Sequence, residues 1–260
     1  MESLKLSKNL IIATISIGSL SYLGFGFYLY LAQERLLFRP DLAPKEVELP
    51  DGVRRLFIDG IEVGFMDRRS DTTIFYFGGN ANNALEALHL FEDLPYNVVT
   101  CNYPGYGNSK GRPSQEAIFQ AAKKVFDRFK NDHNILVGRS LGTGVAAYIA
   151  SLQPVDKIIL ITPYHSITHL AQLNYPIYPV KWILKHPFET YRYIAKSDAP
   201  VYVILASDDK TTPPETFQKL KPYIKNLKKI YTIEAHHDDI LSKVETKEML
   251  KRLVSEEEPH

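Results

Sequence analysis

One cysteine, Cys101, in 260 residues leaves no partner for an internal disulfide and no thiolate set for a structural zinc site. A disulfide-stapled mini-domain and a zinc finger are excluded. Charge of either sign is also in short supply as an excess: 31 Lys+Arg against 30 Asp+Glu give a formal net charge of +1. Such a balance cannot hold a polyphosphate backbone by counterion release, so nucleic acid is not an expected partner. Internal repeats and low-complexity tracts are missing, and 14 glycines and 16 prolines fall far below a collagen-like composition. With 45% hydrophobic residues the chain can bury a full core, and whole-chain disorder is ruled out.

Charge is missing altogether from Leu10 to Leu31, a run rich in Ile, Leu, Phe and Tyr. As a helix of about 1.5 Å rise per residue it just exceeds the ~30 Å hydrocarbon thickness of a bilayer. Lys5 and Lys8 precede it, Glu34, Arg35 and Arg39 follow it, and Tyr22, Tyr28 and Tyr30 offer interfacial rings. The run is too long for the apolar core of a cleaved signal, and Tyr30-Leu31-Ala32 fits a cleavage site poorly. The expected organisation is a single-pass membrane anchor over residues 1–35, with the lipid bilayer as partner, and a catalytic domain over 36–260. The basic flanks nearly cancel, so the side of the membrane stays open.

From Gln33 to Pro50 three prolines predict a connector. A hairpin is expected next, Val53–Ile58 and Ile61–Met66 around the turn dipeptide Asp59-Gly60. Apolar runs at Thr73–Phe77, Val98–Asn102, Ile135–Val137, Lys157–Ile161, Val201–Ala206 and Ile230–Ile233 read as buried strands. Helical spacing falls between them, at Asn83–Asp93, Pro113–Lys130, Leu141–Leu152, Pro214–Ile224 and Ile240–Val254. Alternating strand and helix means an α/β fold with a mostly parallel sheet of about eight strands, covered on both faces. One interruption, at about 163–199, carries Tyr164, Tyr175, Tyr178, Trp182 and several prolines and reads as a lid-like excursion. The acidic Glu256–Glu258 reads as a solvated end.

At the end of the third strand after the hairpin stands Gly138-Arg139-Ser140-Leu141-Gly142, a G-x-S-x-G turn leading into a helix. Glycines there let strand and helix backbones pass closely, and Ser140 is expected to stand exposed on a strained corner. A serine hydroxyl needs a base, and the base a carboxylate to orient it. Strand ends supply Asp208 or Asp209, then His236 or His237, in the order Ser, Asp, His, all at one edge of a parallel sheet. The oxyanion of an acyl-transfer reaction needs N–H donors, for which Leu141 after the serine and Asn80 in Phe77-Gly78-Gly79-Asn80-Ala81 are the candidates. His165 and His169 have i, i+4 spacing, but the glutamate of H-E-x-x-H is absent, so no metal is expected. Cys101, on an apolar strand, reads as a small core hydrophobe rather than a nucleophile.

On these residues the sequence resembles the α/β-hydrolase superfamily, and within it the membrane-anchored serine hydrolases with one N-terminal helix. The resemblance also rests on Gln33-Glu34-Arg35-Leu36-Leu37-Phe38-Arg39-Pro40 and on Asn102-Tyr103-Pro104-Gly105-Tyr106-Gly107-Asn108-Ser109-Lys110-Gly111, together with Gly144 and Trp182. It implies an α/β-hydrolase fold, no cofactor, and Ser140, Asp209 and His237 as the catalytic residues. Asp209 is favoured over Asp208 by Pro213 four residues on, and His237 over His236 by the following Asp238-Asp239. Two departures stand out: Gly78 where the family's oxyanion turn usually has histidine, and His236 where a small residue usually precedes the base. The implied activity is cleavage of an ester or thioester of a small molecule or an acyl-protein. The rival readings are a serine peptidase and a membrane-tethered binding protein without catalysis.

Overall fold

The computed structural model describes residues 2–255, with side chains from Ser7 onward; the Lys5 side chain and the Glu256–Glu258 tail lie outside the described residues. Helix α1, Glu2–Leu37, opens the chain. It continues through Gln33–Leu37, where a connector was expected, because no proline occurs before Pro40 and Gln33 is held by the excursion described below.

The eight strands are β1 Val53–Ile58, β2 Ile61–Met66, β3 Thr72–Phe77, β4 Asn97–Cys101, β5 His133–Arg139, β6 Lys157–Ile161, β7 Val201–Asp208 and β8 Leu227–His236. They form one sheet in the order β1-β2-β4-β3-β5-β6-β7-β8. The β1–β2 and β2–β4 pairs are antiparallel and the rest parallel. Asp59 and Gly60 both have positive φ, as the expected primed turn requires. The eight-stranded, mostly parallel sheet of the sequence reading is therefore the observed one.

Among the described residues seven further helices follow: α2 Gln115–Phe129, α3 Leu141–Ala150, α4 Ile167–Asn174, α5 Val180–Ile183, α6 Thr190–Ile194, α7 Pro214–Leu220 and α8 Val244–Ser255. Ser114 caps α2 by accepting from the Ala117 N–H, so the helix starts just after the predicted Pro113. The segment after β3 departs from expectation in kind: Ala84–Phe91 is a 3₁₀ helix, begun by the Asn83 side chain accepting from Leu85 N–H. The stretches after α7 and before α8 likewise break into 3₁₀ turns, Lys221–Tyr223 at Pro222 and Ile240–Ser242.

Two apolar cores flank the sheet, one around Phe75, Leu136, Val145 and Phe188, the other around Ile74, Val98, Ile159 and Leu250. Strand order reverses across β3, with β4 and β5 on either side, which opens a crevice at the carboxyl ends of the strands. Segments 77–82, 140–141, 209–212 and 237–239 all leave the sheet at this rim.

Candidate active site

The turn after β5 is built by steric exclusion. A Cβ at Gly142 would collide with the Phe77 carbonyl, and one at Gly138 would stand 2.5 Å from the Gly142 carbonyl oxygen. With both glycines in place the chain reverses within Ser140, whose φ of 52° and ψ of −120° are unusual for a residue with a side chain. Such a conformation costs of order 1–3 kcal/mol and persists only where surrounding contacts hold it. Here the Ser140 N–H donates to the Ile161 carbonyl (3.0 Å), and the Ser140 carbonyl accepts from the Thr143 hydroxyl (2.7 Å).

Ser140 is not exposed as the sequence suggested; only 5% of its surface is accessible. The excursion and the end of α1 roof the turn, so the hydroxyl faces a cavity rather than bulk water.

The structure brings Ser140, Asp209 and His237 together. His237 Nε2 lies 2.9 Å from Ser140 Oγ, and Nδ1 lies 2.8 Å from Asp209 Oδ2. The Thr211 and Thr212 N–H groups donate to Asp209 Oδ1 (2.9 and 2.7 Å), and the Thr212 hydroxyl donates to Oδ2 (2.8 Å). Burial pushes the Asp209 carboxyl up, but the hydrogen bond and charge of His237 and the Thr212 donors outweigh it, leaving the group below its ordinary value. An ionised carboxylate only accepts, so Nδ1 carries the imidazole proton and Nε2 is free to accept from Ser140. The neighbouring residues stay apart: His236 and Asp208 pair with each other at 3.0 Å, exposed on the outside of the β7–β8 edge.

Leu141 begins α3, so its N–H lacks an intrahelical acceptor and the positive end of the helix faces the same point. Asn80 lines the cavity beside it. Its side-chain amide donates to the Leu37 carbonyl (2.8 Å), and its own carbonyl accepts from the Arg39 N–H (3.0 Å) and the Tyr106 hydroxyl (2.9 Å). The turn that differs from the family pattern is thus fixed by α1 and Tyr106. At Gly79 a Cβ would meet the Arg139 guanidinium at 2.6 Å, so the small residue makes room for that side chain.

Beside these loops lie two buried charged side chains that the sequence does not single out. Arg139, in the variable position of the turn, donates from Nη2 to the His237 carbonyl (2.7 Å) and from Nη1 to Asn82 Oδ1 (3.1 Å). Glu62, fully buried on β2, accepts from Asn102 Nδ2 (2.7 Å) and the Asn108 N–H (2.8 Å) and faces Arg55. Asn102 in turn accepts from the Ala84 N–H, tying the loop after β4 to the segment after β3. Neither residue follows a periodic or motif rule; each is found only when the loops are brought together.

The cavity above Ser140 has a volume of about 340 Å³. Its wall is mainly apolar, with Leu29 and Leu36 from α1, Leu170 and Tyr175 from α4 and its end, and Ile183 and Leu184 from α5 and its end. Among the described residues no group of three or more His, Cys, Asp or Glu could hold a metal ion. His165 and His169 meet edge to face at 5.7 Å, and His165 stacks on Tyr191. Burial pushes the Cys101 thiol up to about 12, which removes its thiolate from consideration.

This sheet topology, with a strained serine between strand and helix, defines the α/β-hydrolase class. A family model described as alpha/beta hydrolase fold matches residues 73–185. An uncharacterized protein of Mycobacterium tuberculosis is 24% identical over 79% of this chain and 80% of its own length. Lysophosphatidylserine lipase ABHD12 of Macaca fascicularis is 29% identical over 58% of this chain, a match that spans only 45% of that lipase. A solved esterase of Pyrococcus furiosus superposes with a TM-score of 0.61 at 14% identity, covering 82% of this chain and 95% of the esterase. The chain has the α/β-hydrolase fold.

Proposed function

We propose that the protein is a serine hydrolase that cleaves an ester or thioester bearing an apolar acyl chain, working from a membrane anchor at Leu10–Leu31. The observation that carries this reading is the 2.9 Å contact of Ser140 Oγ with His237 Nε2 at the base of an apolar cavity. In the proposed reaction His237 Nε2 takes the hydroxyl proton as Ser140 Oγ bonds to the carbonyl carbon. Asp209 orients the imidazole and stabilises its charged form. The N–H groups of Leu141 and Asn80 receive the oxyanion, and the imidazolium returns its proton to the leaving alcohol or thiol. Water, activated by the same imidazole, then releases the acid from the acyl-enzyme.

A cavity of about 340 Å³ with few polar groups suits one hydrocarbon chain rather than a peptide. The likeness to a lysophosphatidylserine lipase supports a single-chain lipid ester as the substrate class. α1 is long and apolar enough to cross a membrane, which supports the division into an anchor over 1–35 and a catalytic domain over 36–260.

The test is a comparison by the full chain of p-nitrophenyl esters of increasing length, a long-chain acyl thioester and an aminoacyl amide. The reading expects kcat/KM to rise with acyl length and Ser140→Ala to abolish it. Preference for the amide would make the protein a peptidase, and no turnover of any substrate would leave a binding protein.

A further inference from the structure

The tip of the excursion is clamped to α1 by a ladder of contacts. The Tyr22 hydroxyl donates to the Ile177 carbonyl (2.9 Å), and the Tyr178 hydroxyl donates to the Tyr22 carbonyl (3.1 Å). Their rings stack at 4.6 Å, and Gly26 gives the Tyr178 ring room, since a Cβ there would meet it at 3.0 Å. Further along, Gln33 Nε2 donates to the Ile183 carbonyl (3.1 Å), the Lys185 N–H donates to Gln33 Oε1 (2.7 Å), and Lys185 lies over the Tyr30 ring. Ile177 is therefore level with Tyr22 and Ile183 with Gln33, eleven residues apart, or roughly 16 Å along the helix.

Tyr22 lies in the middle of the uncharged run Leu10–Leu31. Whatever is clamped at that level shares the depth of the run. Leu173 and Ile177 are presented outward at the tip, 53% and 71% exposed, with Asn174 between them, and Trp182, next to the Ile183 rung, is 85% exposed. Lys185 sits on the far rung, near Tyr30 and Glu34.

The carbonyls of the tip are met within the protein. Pro176 and Pro179 carry no N–H. Every carbonyl from Tyr175 to Pro179 accepts a hydrogen bond from the protein: that of Tyr175 from the Tyr178 N–H, that of Tyr178 from the Val180 N–H, that of Pro176 from Gln172 Nε2, which also lies within reach of the other two, that of Ile177 from Tyr22, and that of Pro179 from the Trp182 N–H. Non-helical backbone is tolerated at hydrocarbon depth only when its polar groups are met internally. A water-facing loop has no need of that arrangement.

We propose that the tip, residues 173–182, is inserted into the same bilayer leaflet as the C-terminal half of α1, and that the acyl substrate enters the cavity between them sideways from lipid. Ile177 lies in hydrocarbon, while Trp182, with Lys181 and Lys185, lies at the headgroup level, where tryptophan and lysine are favoured. The proposal rests on reading Leu10–Leu31 as the membrane span.

Trp182 is the chain's single tryptophan, so its fluorescence reports on the tip alone. The full chain is reconstituted into phosphatidylcholine vesicles and floated on a density gradient. The expected result is blue-shifted emission, strong quenching by phospholipids brominated near the headgroup end of the chain, and weak quenching by acrylamide. In the double variant Trp182→Phe, Ile177→Trp, the best quencher should shift to bromines deeper in the bilayer. Water-like emission open to acrylamide, from protein that floats with the vesicles, would overturn the insertion. Shielding from both quenchers would also overturn it and assign the tip to a second copy or another protein. A chain that fails to float overturns the anchor reading and this proposal together. Hydrolysis supplies a second readout: Ile177→Asp, outside the cavity wall, should lower turnover of a vesicle-borne long-chain ester at least about fivefold and leave a short soluble ester unchanged. Equal effects on the two substrates would count against entry from lipid.

Discussion

Two aspartate–histidine pairs stand side by side where β7 and β8 end, one residue out of step. Asp208 and His236 meet at 3.0 Å with side chains 54% and 68% exposed; Asp209 and His237 meet at 2.8 Å with 2% and 7% exposed. Composition and contact distance are nearly the same. The difference lies in which way the chain faces as it leaves the strand, because successive residues of an extended segment point to opposite sides. The outer pair is a surface ion pair in water, worth about 0–1 kcal/mol. The inner pair is dry, fully hydrogen-bonded and aimed at a serine. Such a contrast teaches that the chemistry belongs to burial and convergence, not to residue type.

Substitution should break the symmetry of the pairs most visibly at the imidazole. His237→Gln should lower kcat on a soluble p-nitrophenyl ester by about 10⁴-fold or more, while His236→Gln should stay within about twofold. Initial rates across a substrate series measure both. At the carboxylates, Asp209→Asn keeps the shape but favours the wrong tautomer, so a loss of about 10³- to 10⁴-fold is expected; Asp208→Asn should be nearly silent in the same assay.

Arg139 sharpens the comparison, because it holds the carbonyl of the inner histidine only. As a positioning residue its loss in Arg139→Met should lower kcat about ten- to a hundredfold with KM little changed, and destabilise the fold by about 1–3 kcal/mol. A merely structural role would leave kcat of the remaining folded enzyme intact, as active-site titration would reveal.

A third histidine, His165, is buried without any carboxylate partner. Burial first, then Lys219 and His169, push its pKa down to about 4; the Thr216 and Ser166 hydroxyls and the Tyr191 and Tyr223 rings complete its surroundings. Between about pH 6.5 and 4 the unfolded chain binds a proton here that the folded chain refuses, so stability falls as pH drops through that window and levels off below it. Thermal melts of His165→Phe should lack part of that decline, amounting to about 1–2 kcal/mol.

Much of this was legible beforehand. Each strand carried an apolar run between breakers, and the order of serine, aspartate and histidine at strand ends is a local property of the sequence. Strand lengths were underestimated where polar residues continue the ladder, as in β5 with His133 and Asn134 and β8 with Lys228 and Lys229. Ser140 was expected in the open because the turn alone does expose it; the roof comes from residues far away in the chain, Leu29 and Leu36 among them. Arg139 and Glu62 were invisible for a similar reason. A buried charge is tolerated only by partners from several loops, and no spacing rule encodes those meetings. The union of α1 with the excursion is likewise a tertiary fact, carried by Tyr22, Gly26, Gln33 and Tyr178.

Mass-spectrometric mapping of a fluorophosphonate adduct tests the central claim most directly. A single adduct on Ser140 of the full chain is predicted, absent from Ser140→Ala, strongly slowed in His237→Gln and formed at the normal rate in His236→Gln. An adduct at another serine, undiminished labelling of Ser140→Ala, or equal slowing by both histidine substitutions would contradict it.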